Sequence, residues 1–114
     1  AAQLERAEAD GMKKAVLALL PVYDDLARAL DAPCTDEAYY HGVELLMQKL
    51  LARLDGLGVV PMDSLGKCFN PDYHEAVSHV TDETAAEERI VQVVQTGFTM
   101  DEEVLRHAKV VVAN

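Results

Sequence analysis

Apolar residues fall three and four apart along the first half of this chain and gather into short runs along the second. From Gln3 to Leu30, Met12, Val16, Leu19, Tyr23, Leu26 and Leu30 keep the step that lines one face of a helix. Leu20 and Ala27 widen that stripe. Pro21 lies inside it. A proline in a helix interior costs about 3 kcal/mol because it removes a donor and crowds the preceding turn. The segment is therefore expected either to kink or to divide into two helices near Leu20. Asp31-Ala32-Pro33-Cys34 reads as a loop, and Thr35 as the N-cap of a second helix, with Asp36 and Glu37 in its first turn. Tyr40, Val43, Met47, Leu50, Leu54 and Leu57 repeat the spacing, and Gly56 and Gly58 offer the left-handed stop.

After Gly58 the period changes. Val59–Met62, Ala76–Thr81, the β-branched run Arg89–Gln95, Gly97–Met100 and Val104–Ala113 are short extended stretches separated by Gly, Pro and acidic residues. Asp82–Glu88 is the most polar of the separators. The expected fold class is α+β: a helical hairpin over residues 1–58, then a small all-β domain over residues 59–114. A two-helix hairpin gives each apolar stripe only one neighbour. Pairing with a second copy into a four-helix bundle is the usual remedy, so a homodimer is expected. Leu19, Tyr23, Leu26 and Leu30 of the first helix and Val43, Met47, Leu50 and Leu54 of the second are expected at its interface.

Composition narrows the function classes. The chain carries twenty acidic and ten basic residues, a net charge of −10. Such a surface repels phosphates, so nucleic acid and anionic membranes are not expected partners. No apolar run approaches the roughly 20 residues that cross a bilayer. Cys34 and Cys68 make no disulfide framework, and their neighbours supply no second ligand pair at metal-site spacing. They read as free thiols in a reducing compartment. The chain begins at Ala1 within helix-like sequence, which reads as a piece of a longer protein.

Catalytic constellations are hard to find. His74 and Glu75 are adjacent, so on an extended chain they point to opposite sides, and no nucleophile stands in a recognised frame with them. The turn-forming pair Asn70-Pro71 suggests instead that His74 bonds back across a loop. His41, His79 and His107 lack partners at ligand spacing. Gly66-Lys67 lacks the glycine run of a phosphate loop. No enzyme activity, cofactor, metal or bound nucleotide is expected. Arg106, in a mostly apolar strand, is either one half of an internal ion pair or a planar donor aimed at a partner. Phe98, beside a valine-rich strand, reads first as core.

A signature runs through these elements. Phe69-Asn70-Pro71 leads to His74-Glu75-Ala76-Val77, then to Gln95, Gly97 and Phe98, and to Leu105-Arg106 and Ala108. Upstream, Leu19-Leu20-Pro21-Val22, Leu26–Leu30 and Gly42-Val43-Glu44-Leu45 belong to the same order. Together they resemble the GrpE family, the nucleotide exchange factors of the bacterial Hsp70 chaperone DnaK, over nearly the whole chain. The resemblance implies a cytoplasmic, bacterial stress-response co-chaperone. Its hairpin would form half of a dimeric four-helix bundle entered by the end of a longer helix. Its β domain would project as a wing and grip the Hsp70 ATPase domain. The partner-facing residues it implies are Arg106, Val94, Gln95, Phe98 and Glu44. Phe69, Asn70, Pro71, His74, Ala76, Gly97 and Ala108 carry the structural signature. The competing expectation is a non-catalytic dimeric scaffold whose wing binds another client.

Overall fold

A computed structural model describes residues 2–114. They divide into two compact units, residues 2–57 and 58–114.

The first unit is a helical hairpin. Helix α1 (Ala2–Asp31) is continuous through Pro21, so the division into two helices near Leu20 does not occur. Helix α2 (Glu37–Asp55) is capped by Asp36, one residue later than the Thr35 expected from sequence. Asp36 holds extended backbone, and its side chain accepts the Tyr39 N–H at 3.1 Å. At the far end Gly56 keeps right-handed helical geometry, and the positive φ falls on Gly58 instead. At 1.5 Å per residue α1 is about 45 Å long and α2 about 28 Å. The shorter helix flanks only part of the longer one. Residues 2–12 are all exposed, and burial begins around Lys13 and Val16. The face turned inward centres on Val16 and Leu20 of α1 and on Met47 and Leu54 of α2. Leu19, Val22, Leu45 and Leu46 remain at least half exposed.

The second unit holds two three-stranded sheets. In one, β4 (Phe98–Met100) lies between β1 (Val59–Pro61) and β5 (Glu103–Arg106), all antiparallel. In the other, β6 (Ala108–Ala113) lies between β2 (His74–Val80), parallel to it, and β3 (Arg89–Gln95), antiparallel. The single run expected over Val104–Ala113 is thus two strands, broken at His107 and shared between the sheets. Alternate residues of β6, Ala108, Val110 and Val112, pack with Ile90, and Met62, Phe69 and Val93 close over them. The turn from β4 to β5 places both Asp101 and Glu102 at positive φ. Such tight hairpin turns need that geometry and usually supply it with Asn and Gly. Gly58, also at positive φ, accepts the Asp101 N–H at 3.1 Å, and the Asp101 carboxylate fills the space a side chain there would need.

Candidate functional site

The sequence singles out two stretches of the β unit, and the fold gives them different tasks. The Phe69–His74 stretch is a self-locked turn. The Asn70 carbonyl accepts the N–H groups of Tyr73 (3.0 Å) and His74 (2.8 Å). The Asn70 side-chain oxygen accepts the Asp72 N–H, and the Asn70 N–H is donated to His74 Nδ1 at 2.9 Å. One asparagine thus closes the turn through its backbone N–H, its carbonyl and its side chain. Pro71 suits the segment because its fixed φ favours turns. The turn is tied onward: the Ala108 N–H is donated to Tyr73 O and the Phe69 N–H to Glu88 O. The Phe69 and His74 rings stand 5.9 Å apart. Burial, and secondarily the nearby His107, hold the His74 imidazole below its ordinary pKa. With Nδ1 engaged by a backbone N–H, His74 orders this loop and is not placed to act as a general base through that nitrogen. Ala76 follows on the exposed strand β2.

The second stretch is where β3 hands the chain to β4. Val94 is exposed, Gln95 half-buried, and Phe98 wholly buried. Gly97 is buried under the backbone of Ala108, and a side chain there would also come within 2.7 Å of the Met62 sulfur. Glycine is therefore required at position 97 by close approach, not by an unusual φ. Arg106 is the register partner of Phe98 in the neighbouring strand. Its guanidinium lies 5.4 Å from the Phe98 ring centroid, and its Nε donates to Thr96 O at 2.9 Å. A planar cation is thus clamped between an aromatic face and a carbonyl while staying half-exposed. Phe98 and Arg106 come together here, while Val94 and Gln95 immediately precede the Thr96 carbonyl along the chain. Phe98 contributes from beneath by supporting the arginine and presents no surface of its own. Glu44 belongs to the helical unit, half-exposed, with its carboxylate 3.8 Å from His41 Nδ1.

The residues named for a dimer interface differ widely in burial. Met47 and Leu54 are buried, Tyr23, Leu26, Leu30, Val43 and Leu50 are half-buried, and Leu19 is exposed.

Sequence reading missed Thr96, whose carbonyl fixes Arg106, because a backbone acceptor leaves no residue-type signal. It also missed Ser64. This serine is 2% exposed, and its hydroxyl has no hydrogen-bond partner. A buried hydroxyl left in that condition costs about 1–3 kcal/mol. Ser64 lines a cleft of about 330 Å³ under the Phe69–His74 turn. Among the described residues, no three His, Cys, Asp or Glu side chains are grouped to hold a metal ion. No helix among them is long and apolar enough to cross a membrane.

Comparison with known proteins follows the signature. The family model described as GrpE matches residues 1–114. Protein GrpE of Thermus thermophilus is 40% identical over 111 residues, covering 96% of this chain and 61% of that protein. Protein GrpE of Chlorobium luteolum is 39% identical over 102 residues, covering 83% and 52%. Protein GrpE of Bacteroides fragilis is 40% identical over 107 residues, covering 90% and 55%. The chain spans between about half and three fifths of the length of these relatives.

Proposed function

This chain belongs to the GrpE family, and from that premise we propose that it is a nucleotide exchange factor for the Hsp70 chaperone DnaK in the bacterial cytoplasm. The family match along residues 1–114 carries the reading. The clamped Arg106, and the exposed Val94 two residues before its Thr96 anchor, support the site.

The mechanism is one of differential binding. The β unit, acting as a wing with Arg106, Val94 and Gln95 at its contact edge, binds the DnaK ATPase domain better when the nucleotide cleft is open. Binding the open form weakens ADP, and by linkage a nucleotide that closes the cleft expels the exchange factor. A thousandfold loss of ADP affinity needs roughly 4 kcal/mol of preference for the open form. An arginine held in place before binding loses little side-chain freedom on contact, which suits it to supply part of that difference. Glu44 adds a contact from the hairpin. The hairpin pairs with a second copy into a four-helix bundle, covering Leu19, Val22, Leu45 and Leu46, which a single copy leaves exposed.

Stopped-flow release of labelled ADP from DnaK tests the activity. The full-length protein that contains this chain is expected to accelerate release by orders of magnitude, and no acceleration would refute the reading. Arg106→Ala separates contact from scaffold. It is expected to weaken DnaK binding about tenfold or more, the scale of an interface hot spot, while costing the fold only about 1 kcal/mol for the lost Thr96 and Phe98 contacts.

A further inference from the structure

We propose that the cleft under the Phe69–His74 turn receives an uncharged carboxamide or peptide group presented by the partner protein, so that the wing grips through a socket as well as through Arg106. This rests on the partner-binding reading above.

The cleft has about 330 Å³ of space, at the lower end of ligand sites, which run from about 300 Å³. Its polar lining is specific in sign. Ser64 is buried with its hydroxyl unpartnered. Asn70 has its side-chain oxygen occupied by the Asp72 N–H, which leaves the amide nitrogen as a donor. His74 accepts at Nδ1, so its proton resides on Nε2, a second donor. Asp63 supplies an acceptor, and Lys67 balances its charge. Met62 adds an apolar thioether to the wall.

A lining with donors, an acceptor and no net charge matches a group that has both a carbonyl and an N–H. A carboxylate would be opposed by Asp63, and an ammonium by Lys67. Thr99 also lines the cleft and lies next to Phe98, the register partner of Arg106. The socket and the arginine therefore share one sheet.

The test has two arms. First, the isotopically labelled chain is titrated with N-acetylasparagine methylamide and, separately, with N-acetylaspartate methylamide, following backbone amide signals. Saturable shifts at Ser64, Asn70 and His74 are expected with the carboxamide in the millimolar range. The acid should bind several-fold more weakly, and Ser64→Ala should lose most of the carboxamide response. Second, the same variant is expected to bind the DnaK ATPase domain about fivefold more weakly, the scale of one lost hydrogen bond, with an unchanged or higher melting temperature. Absence of saturable shifts, equal response to the acid, or unchanged DnaK affinity in Ser64→Ala would each overturn the socket. A wild-type chain that binds the carboxamide while its full-length parent ignores DnaK would sink the choice of partner and leave the socket standing.

Discussion

The two halves of this molecule solve the same burial problem differently. The β unit encloses Val59, Ile90, Phe98, Met100, Val110 and Val112 almost completely. Among its described residues the hairpin encloses only Val16, Leu20, Met47 and Leu54, and leaves Leu19, Val22, Leu45 and Leu46 at least half exposed. Two sheets cross-linked by a shared chain segment can surround side chains, whereas two helices side by side cannot. The contrast fits the proposed tasks: a unit that encloses its own core can specialise its rim for a partner, while apolar side chains left uncovered on the hairpin suit the pairing with a second copy proposed above.

Breaking the wing from within is expected to give the largest effect. Ile90→Ala removes packing at the centre of the β6 cluster and should cost about 3 kcal/mol in urea unfolding, within the usual range for buried truncations. The helical signal in circular dichroism should persist at denaturant concentrations where the wing has unfolded. Loss of both signals together would show that the two units do not fold independently.

Next in size, Leu19→Glu or Leu46→Glu strikes the other side of the comparison. On a solitary hairpin such exposed substitutions change stability by no more than about 0.5 kcal/mol. In a bundle each puts a charge into an apolar seam, and about 2 kcal/mol of dimer stability should disappear. Sedimentation should then move from dimer to monomer mass, and an unchanged mass would refute the pairing.

A smaller effect is attached to pH. His74 is held below its ordinary pKa, mainly by burial and then by His107. The unfolded chain thus takes up a proton at this position under conditions where the folded chain does not. The associated stability is complete above about 6.5 and is lost as pH falls through the lowered folded value. Protonation also removes the acceptor for the Asn70 N–H, a bond worth about 1 kcal/mol. Melting of the wing is expected to drop below neutral pH, and His74→Gln should flatten that part of the profile.

Least in size, Glu102→Gly should raise wing stability by about 0.5 kcal/mol. Relief of a left-handed residue, worth about 1–2 kcal/mol, exceeds the added freedom of glycine in the unfolded chain, about 0.5–1 kcal/mol. A lower melting temperature would show that the Glu102 side chain contributes contacts that outweigh its backbone strain.

Periodicity made most of the architecture legible, because burial imposes it: the helix stripes, the change of period after Gly58 and the valine-rich strands all reappear. The Asn70–His74 bond was legible too, since turn chemistry is local. What escaped depended on positions distant in sequence. The parallel pairing of β2 with β6 joins His74 to Ala108 and cannot be read from either strand alone. The seam of α1 was expected through Leu19, but the intramolecular face is rotated toward Leu20, because a hairpin needs only one contact face and the remaining apolar positions are left over. Thr35 and Asp36 are both good caps, and the choice between them turned on which backbone held the extended conformation. At the candidate site, Arg106 was visible as an odd cation among apolar neighbours. Its Thr96 anchor and the hidden hydroxyl of Ser64 were not, since neither depends on a recognisable residue pattern.

The interruption at His107 has a mechanical consequence. Arg106 ends one strand, and Ala108 begins the middle strand of the other sheet, hydrogen-bonded along both flanks. Any tug on that arginine is transmitted through a single residue of covalent backbone into the most firmly moored strand of the unit. The hand is bolted to the keel, so a load applied at Arg106 would be spread across a whole sheet before any rim strand peels away.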